Sequence, residues 1–507
     1  MKWLRLALLL LMIGASARQL LVTSAKRPFL TPHEQLFTEF DENIKAGNLV
    51  PVWAQHLNHG LGEARLEFLP PLPEYVTEAF YSITHNAARA LACTGVFLIL
   101  LAGSGMFLLA CRLSEEMACL SAGAYVLNPW FLKVACQDAD YKNLSALALL
   151  PWLALTILQL VRDGRQRAFP RAALLFAALA ASNTTLALLA LPFIAVAAWV
   201  YHGQLRNRTL LLAALVTGSA AAAFHWAPSF GERHFDKTIV LSAAGPFVPL
   251  LALLAAGGTL VVLGLTWGLL RWSGSSPTLA WHRGSQAFWK LSLTLLVFTL
   301  VAGYFTHHLS AVWHAALPDT ATSTAFMPLF VFFGTLLGTA ALAKECTELW
   351  QWTGMAMIVF AASAGAVHVP LPRAEAIPEA ISHNGPESIL NFVQGRGEGK
   401  CDRNGPTRVD CEIMAVHNSM IRFNVFDYPN WHALVDGKPS LATGPDGIHG
   451  TLLMSLAPGK HVVHWRLRDT RLRLLSKWLS VLALLGLVAL LFKNELSKRK
   501  PLAPQSI

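Results

Sequence analysis

A polar segment near the N-terminus carries the side chains best suited to acid–base chemistry. Residues 31–75 include four acids in a short run, Glu34, Glu39, Asp41 and Glu42. Ionisable groups are costly in lipid, so a segment of this kind between apolar runs must meet water or a polar cavity. A carboxylate held at such a surface could accept a proton from an attacking nucleophile. Glu34, nearest to the first apolar run, is the candidate base; the alternative is an ordinary solvated acid in series with the other three.

A second acidic pair, Asp138 and Asp140, follows a later apolar run. These residues could act as a second catalytic acid or as metal ligands, or they could simply cap the N-terminus of the next helix. No Gly-rich dinucleotide loop follows a strand and no nucleophile elbow is visible, so no reaction cofactor is predicted. A divalent metal stays open as a possibility.

Membrane helices must position these residues. The chain has 507 residues, of which 54% are hydrophobic and 14% charged, and its mean hydropathy is +0.45. Apolar runs of about 17 to 25 residues recur, and each is long enough to cross a bilayer. We therefore predict a mainly α, polytopic membrane protein with about twelve spans. The predicted spans lie near 3–22, 87–111, 117–136, 143–161, 171–183, 185–202, 209–228, 245–270, 287–305, 321–343, 348–369 and 472–492.

The fifth and sixth runs share one apolar stretch that is broken by Ser182–Thr185. They are either a hairpin of two half-length helices or one long tilted helix.

Basic residues predict the orientation, because Lys and Arg favour cytoplasmic loops. With the N-terminus inside, the inner side carries Arg112, Arg162, Arg165, Arg167, Arg171, Arg206, Arg208, Arg271, Arg283, Lys498, Arg499 and Lys500. A first outer loop at 23–86 and the segment 370–470 then lie outside, and both termini are cytoplasmic. The net charge of +10 is explained by topology and anionic-lipid contact, and no nucleic-acid motif is present. A cleaved signal peptide is the alternative for the first residues.

A soluble domain is predicted at 370–470, between a transmembrane domain at 1–369 and a last helix with a basic tail at 471–507. Its apolar residues alternate in short runs, as in 421–426, 431–435, 451–454 and 461–465. Turn dipeptides such as Asp436-Gly437 and Pro458-Gly459 separate these runs, which is typical of a small antiparallel β-sandwich. Because the domain is expected on the oxidising side, Cys401 and Cys411 are predicted to form a disulfide.

Several segments together resemble a known family. Residues 33–76 contain an acid beside His, a Gly-x-x-x-Pro-x-Trp motif and a Pro-Leu-Pro-x-Tyr motif. Trp226–Glu232 matches a Trp-x-Pro-x-x-x-Glu pattern, and Tyr428–Trp431 with Pro458–His461 match a C-terminal β domain. The combination resembles the YfhO-like and 6-pyruvoyl-tetrahydropterin-synthase-related membrane proteins of the GT-C glycosyltransferase class. The chain departs from the pattern where Gln137 and Asn143 replace an expected Arg and Glu.

The resemblance implies transfer of a sugar on the extracytoplasmic face of a bacterial inner membrane. The donor would be a polyprenyl-phosphate-linked sugar, and the acceptor a glycan, lipid or protein. Glu34, with Asp138 or Asp140, would be catalytic, and Glu232 would pair with or orient Arg233. Candidate substrate-binding residues are His33, Asp41, Trp53, Arg233, His234 and Lys237.

Two of these assignments have plainer alternatives. The basic residues at 233–237 would clamp the phosphate leaving group, or they would only anchor the chain to headgroups. Trp53 would stack on a sugar, or it would shape the loop together with Pro70–Pro73. Two other classes of protein also fit the sequence: a lipid or glycan flippase or transporter, and a non-catalytic envelope assembly protein.

Overall fold

The computed structural model describes residues 14, 32–58, 60–112, 118–137, 139–161, 163–200, 205–232, 328–329, 331–333, 335–336, 389–440, 444–445 and 450–499. The predicted spans near 3–22, 245–270, 287–305 and 348–369 lie outside these residues, and the span near 321–343 lies largely outside them.

The first loop folds into three helices that lie against the apolar helices. These are α1 (Pro32–Lys45), α2 (Arg65–Phe68) and α3 (Pro71–Thr84). Helix α3 begins on a proline, whose fixed φ and missing N–H suit the first helical turn. It ends at His85 in a left-handed conformation, and the side chain of Asn86 then caps the next helix by accepting from the N–H of Arg89.

The apolar runs form a helical bundle around one continuous core. Its elements are α4 (Ala87–Ala110), α5 (Ala118–Val126), α6 (Pro129–Leu132), a π-helical turn (Lys133–Gln137), α7 (Tyr141–Val161), α8 (Phe169–Ser182), α9 (Thr184–Val200), α10 (Leu205–Ala221), α11 (Ala223–Gly231) and α12 (Arg471–Arg499). Within the described ranges, α4, α7 and α12 are each long and apolar enough to cross a membrane, and α10 with α11 makes a fourth if that bent pair counts as one span.

Five predicted spans coincide with single helices, since the runs at 87–111, 143–161, 171–183, 185–202 and 472–492 correspond to α4, α7, α8, α9 and α12. Two others are broken. The run at 117–136 divides into α5, α6 and the π-helical turn. The run at 209–228 bends by 70° between α10 and α11. Ser480 of α12 stabilises this bend, because its hydroxyl accepts from the N–H of Phe224 and donates to the carbonyl of Ala220.

The break in the shared apolar stretch lies at Asn183. Its backbone leaves the helical region, and its side-chain oxygen accepts from the N–H of Leu186 at 2.9 Å, so the residue caps the start of α9. The apolar stretch that is interrupted at 182–185 therefore forms two consecutive helices, α8 and α9.

The C-terminal segment is a sandwich of two antiparallel sheets, as predicted. Its strands are β1 (Leu390–Gln394), β2 (Gly397–Arg403), β3 (Arg408–Ala415), β4 (Ser419–Phe426), β5 (Trp431–Val435), β6 (Lys438–Ser440), β7 (Gly444–Pro445), β8 (Thr451–Leu456) and β9 (Gly459–Leu467). One sheet has the order β1-β4-β8-β7 and the other β2-β3-β9-β5-β6. Asp436 and Gly437 both have positive φ, as the two-residue β5–β6 hairpin requires.

The first loop completes the core of this sandwich. Val52, Trp53 and Ala64 share one cluster with residues of both sheets, and the N–H of Phe426 donates to the carbonyl of Leu61. Gly62 has φ +78°, and a Cβ there would lie 2.5 Å from the Trp53 ring, so no larger residue fits. The loop and the sandwich therefore pack as one unit.

Cys401 and Cys411 form the predicted disulfide. They are directly paired across β2 and β3, with ten residues of sequence separation. Cys411 is buried in the sandwich core, so the bond fastens the edge strand β2 to the rest of the sheet.

Replacing both cysteines by serine should lower the apparent melting temperature of the purified protein. Removing a disulfide that closes so short a loop lowers the free energy of unfolding by on the order of 2–3 kcal/mol, because the unfolded chain gains entropy. Thermal unfolding with and without reductant measures this effect. Reductant should lower the melting temperature of the wild type but not that of the double variant. Equal melting temperatures of the two proteins without reductant would contradict the role assigned to the bond.

Candidate functional site

The candidate base lies at the N-terminal end of α1, against the helical bundle. Glu34 is 7% exposed. The neighbouring His33 ring packs edge-on against the ring of Tyr141, with 5.9 Å between centroids. Tyr141 donates to the carbonyl of Leu91 at 3.0 Å, which ties the start of α7 to α4. His33 and Glu34 are thereby held beside the first residues of α7.

Of the acidic pair Asp138 and Asp140, the structure describes Asp140, which immediately precedes α7. Its Oδ1 accepts from the N–H of Asn143 at 3.1 Å, and its Oδ2 accepts from the side-chain amide of Asn143 at 2.6 Å. The Asn143 side-chain oxygen then accepts from the amide of Asn183 at 3.0 Å. The capping role is thus present, and it forms part of a polar chain that joins α7 to the start of α9.

The structure brings two of the predicted site segments together. The contact between His33 and Tyr141 places the start of the first loop next to Asp140, more than 100 residues later in the chain. Asp138, Arg233, His234 and Lys237 lie outside the described residues, so their roles remain predictions.

Asp41 lies farther along α1. Its Oδ2 pairs with the Lys45 ammonium at 2.6 Å, one helical turn away. Its Oδ1 is buried and accepts no hydrogen bond within the described ranges. The carboxylate therefore keeps one unused acceptor on a mostly buried face of α1.

Glu39 organises the loop that follows α1. Its two oxygens accept from the backbone N–H groups of Gln55 and His56, at 2.7 and 3.1 Å. His56 Nδ1 lies 2.8 Å from Glu39, and this hydrogen bond raises the pKa of the imidazole. Glu42 completes a group whose ligand-type atoms lie within 4.8 Å of one another. Because both Glu39 oxygens are already bound to the backbone, the group is a loop clamp, and we assign no metal to it.

Trp53 lies inside the joint core of the loop and the sandwich. It is 2% exposed and packs against Tyr428 and Trp431, with ring centroids 6.0 and 5.5 Å away. Arg403 of β2 holds the same loop by donating to the carbonyls of Gln55 and Gly60. In this conformation the indole offers no open face for stacking a sugar.

A buried ionic cluster connects the first loop, α11, the sandwich and α12. Arg473 Nη2 lies 2.8 Å from Glu67 and 2.5 Å from Glu232. Glu67 also accepts from the Tyr428 hydroxyl at 2.8 Å, and Glu232 accepts from the Thr470 hydroxyl. We call Glu67, Glu232, Tyr428, Thr470 and Arg473 the Arg473 cluster. Glu232, expected to pair with Arg233, binds Arg473.

Sequence reasoning did not identify this cluster. One signal was available, because Arg473 is a charged residue at the start of an apolar span, where ionisable groups are rare and normally paired. Its two carboxylate partners could not be read from the chain, since they lie more than 200 residues earlier.

The electrostatics of the cluster are unbalanced, with two carboxylates around one guanidinium. The Arg473 side chain is 2% exposed and that of Glu67 3%. Burial raises the pKa of Glu67 to about 7, although the charge of Arg473 opposes this shift and Glu232 adds to it. Glu67 Oε1 and Arg473 Nε are both buried and have no hydrogen-bond partner within the described ranges.

A cavity of about 600 Å³ lies where the loop after α1, the sandwich and α12 meet. We call it the interfacial cavity. Its wall includes Asn48 and Leu49 from the loop, Arg468 and Asp469 before α12, and Lys477 and Leu484 on α12. Arg473 also contributes to the wall, so the cavity adjoins the Arg473 cluster. Glu34 is not among its lining residues.

Comparison with known protein families shows to which family the chain belongs. The family model for the 6-pyruvoyl-tetrahydropterin synthase related domain, described as a membrane protein, matches residues 66–366, more than half of the chain. The chain belongs to this family. The predicted family and the predicted membrane location are thereby confirmed.

Two further comparisons concern individual proteins. The chain is similar to the crystal structure of ArnT from Cupriavidus metallidurans bound to undecaprenyl phosphate, at 14% identity and a TM-score of 0.42. The match covers 70% of this chain and 62% of the ArnT chain. No curated protein matches the chain.

Replacing Arg473 by Met should destabilise this family member strongly. The substitution leaves two buried carboxylates without their cation, which typically costs about 3–5 kcal/mol. We expect low yield and a lower apparent melting temperature in detergent. Arg471→Met is the matched control, because Arg471 lies on the same helix turn but is exposed. Equal melting temperatures for the two variants would contradict the assigned importance of the cluster.

The protein should lose stability as the pH rises from about 4.5 to about 7. Over this window Glu67 keeps its proton in the folded state, where its pKa is about 7, while the unfolded chain releases it. Glu67→Gln removes this titration, so the difference in melting temperature between pH 5.5 and pH 8 should shrink. It should not vanish, because burial also raises the pKa of Glu74 to about 7. Glu398→Gln, an exposed control, should keep the wild-type difference; an unchanged difference in Glu67→Gln would refute the assignment.

Proposed function

We propose that this family member is a membrane glycosyltransferase of the GT-C class. It would move a sugar from a polyprenyl-phosphate donor to a glycan, lipid or protein acceptor on the extracytoplasmic face. The proposal combines the family resemblance of the first loop with the position of its acids against the membrane helices.

The chemistry needs one base and no covalent intermediate. The acceptor oxygen or nitrogen attacks the anomeric carbon and forms the new glycosidic bond while the bond from that carbon to the phosphate oxygen breaks. The acceptor proton passes to the Glu34 carboxylate, and the lipid phosphate leaves with the bonding electron pair. A single displacement of this kind inverts the anomeric configuration.

The observation that carries the proposal is the juxtaposition of the first loop and the start of α7. His33 contacts Tyr141, so Glu34 and Asp140 belong to neighbouring elements at one end of the bundle. Such a site has a carboxylate for the acceptor proton and a polar chain, Asp140–Asn143–Asn183, that could position substrate hydroxyls. A buried carboxylate on a rigid helix is a suitable base, because the surrounding protein holds its geometry.

The proposed reaction also requires a defined orientation of the protein in the membrane. We propose a multi-pass inner-membrane protein with both termini in the cytoplasm, and a sandwich domain on the outer side. The Cys401–Cys411 disulfide supports this assignment, because such bonds persist in oxidising compartments. The basic residues of the intervening loops support it independently.

Glu34→Gln should abolish sugar transfer while leaving the amount of folded protein unchanged. The amide is nearly isosteric but cannot take the proton, so we expect at least about a 100-fold loss of rate. Cells that lack the gene are complemented with each variant, and their glycans and lipid-linked sugars are profiled by mass spectrometry. A sugar present with wild type and absent with Glu34→Gln would support the proposal.

The exposed Glu398→Gln serves as the control and should restore the wild-type profile. If Glu34→Gln restores the same product as wild type, the catalytic assignment is wrong. If loss of the gene changes no glycan and no lipid-linked sugar, the transferase proposal itself fails. That result would favour a transporter or an assembly protein.

A further inference from the structure

We propose that the interfacial cavity binds the phosphate headgroup of a lipid. Cationic groups on the wall would hold the phosphate, and the exposed apolar face of α12 would hold the hydrocarbon chain. None of the cationic wall residues belongs to the basic segment 233–237, which the sequence suggested for phosphate binding.

The cavity wall itself carries more cationic than acidic side chains, which favours an anionic ligand. Three lining residues are cationic, Arg468, Arg473 and Lys477, and one is acidic, Asp469. Arg473 is bound by Glu67 and Glu232. Lys477 Nζ lies 2.8 and 2.7 Å from the two oxygens of Asp469. Arg468 is exposed, and no side chain in the described part of the protein pairs with its guanidinium. Arg468 is therefore the wall cation that can donate to a phosphate oxygen without giving up a side-chain partner in the described residues.

The apolar part of the wall is continuous with a helix face suited to lipid. Val481 and Leu484 line the cavity on α12 and are 44% and 37% exposed. Residues 471–493 of α12 form a candidate span, and only 17% of its 18-residue apolar window is buried, so among the described residues most of this window is open to lipid. Lys477 lies in its second turn. The cavity is therefore at the depth where headgroups meet hydrocarbon.

Two exposed apolar side chains lie on the elements that form the cavity. Trp478 on α12 is 60% exposed, and indole rings collect at the membrane–water interface. Leu49, on the loop that forms the opposite wall, is 72% exposed. An exposed leucine on the wall of a cavity that also carries cations is suited to an amphipathic ligand, whereas a free phosphate ion would not contact it.

Two lipids share this chemistry, a bilayer phospholipid and the polyprenyl-phosphate sugar of the proposed reaction. Only the second source depends on the proposed function. A binding experiment needs no transfer reaction, so failure of the cavity proposal and failure of the transferase proposal can be told apart.

The test measures lipid binding to the full chain by native mass spectrometry. Phosphatidylglycerol, undecaprenyl phosphate and uncharged diacylglycerol are titrated separately in detergent. We expect both phosphate lipids to bind the wild type and diacylglycerol to bind much more weakly. The double variant Arg468→Gln, Lys477→Gln should lose roughly tenfold or more in affinity for the phosphate lipids, because it removes two charge-assisted contacts.

A third variant gives a change of opposite sign. Asp469→Asn releases Lys477 from its ion pair, so it should bind the phosphate lipids more tightly than wild type. A general loss of folding cannot raise affinity, so this result would not arise from a damaged protein. Arg471→Gln with Lys438→Gln, two exposed cations that do not line the cavity, should bind as wild type does.

The outcomes decide the proposal and the source of the lipid. Wild-type affinity in the double variant, weaker binding by Asp469→Asn, or equal binding of diacylglycerol would overturn the cavity assignment. Competition between the two phosphate lipids at equal concentration identifies the source. Displacement of phosphatidylglycerol by undecaprenyl phosphate supports a donor-lipid site, and retention of phosphatidylglycerol supports a site for bilayer lipid.

Discussion

The buried guanidinium of Arg473 is the interaction on which the rest of the described structure depends. A buried cation is costly unless carboxylates surround it, and here the carboxylates come from two distant parts of the chain, Glu67 in α2 and Glu232 after α11. Tyr428 adds a hydrogen bond from the sandwich. The first loop, the bent helix pair, the sandwich and the last helix must therefore meet at one point. Because burial raises the pKa of Glu67 to about 7, the net charge of the cluster also changes near neutral pH.

The first loop is held on both sides, and this explains how a polar segment can present a carboxylate in a defined position. At one end His33 packs on Tyr141 of the bundle. At the other end Trp53 fills the sandwich core, while Arg403 and Glu39 bind the intervening backbone. A loop fixed in this way acts as a rigid element, which is what a site at a membrane surface requires. The candidate base and the interfacial cavity lie on opposite parts of the same loop.

Local patterns predicted much of the fold. Uninterrupted apolar length predicted α4 and α7 to within two residues, and period-two alternation with turn dipeptides predicted β4, β5, β8 and β9. The predicted span at 209–228 did not reveal the bend within it, because the hydroxyl that stabilises this bend belongs to Ser480, some 260 residues later. For the candidate site, sequence identified Glu34 and Asp140 individually. It could not show that their segments touch, since that contact depends on how α1 packs on the bundle.

By itself, the sequence determined which segments suit lipid, which alternate as strands, and which two cysteines pair, because these properties depend on neighbours within a few residues. Only the tertiary structure decided the partners of Arg473, the burial of Trp53 and the formation of a cavity between loop, sandwich and α12. Each of these combines residues hundreds of positions apart. Hydropathy records the cost of burying a charge, but only packing shows which opposite charge offsets it.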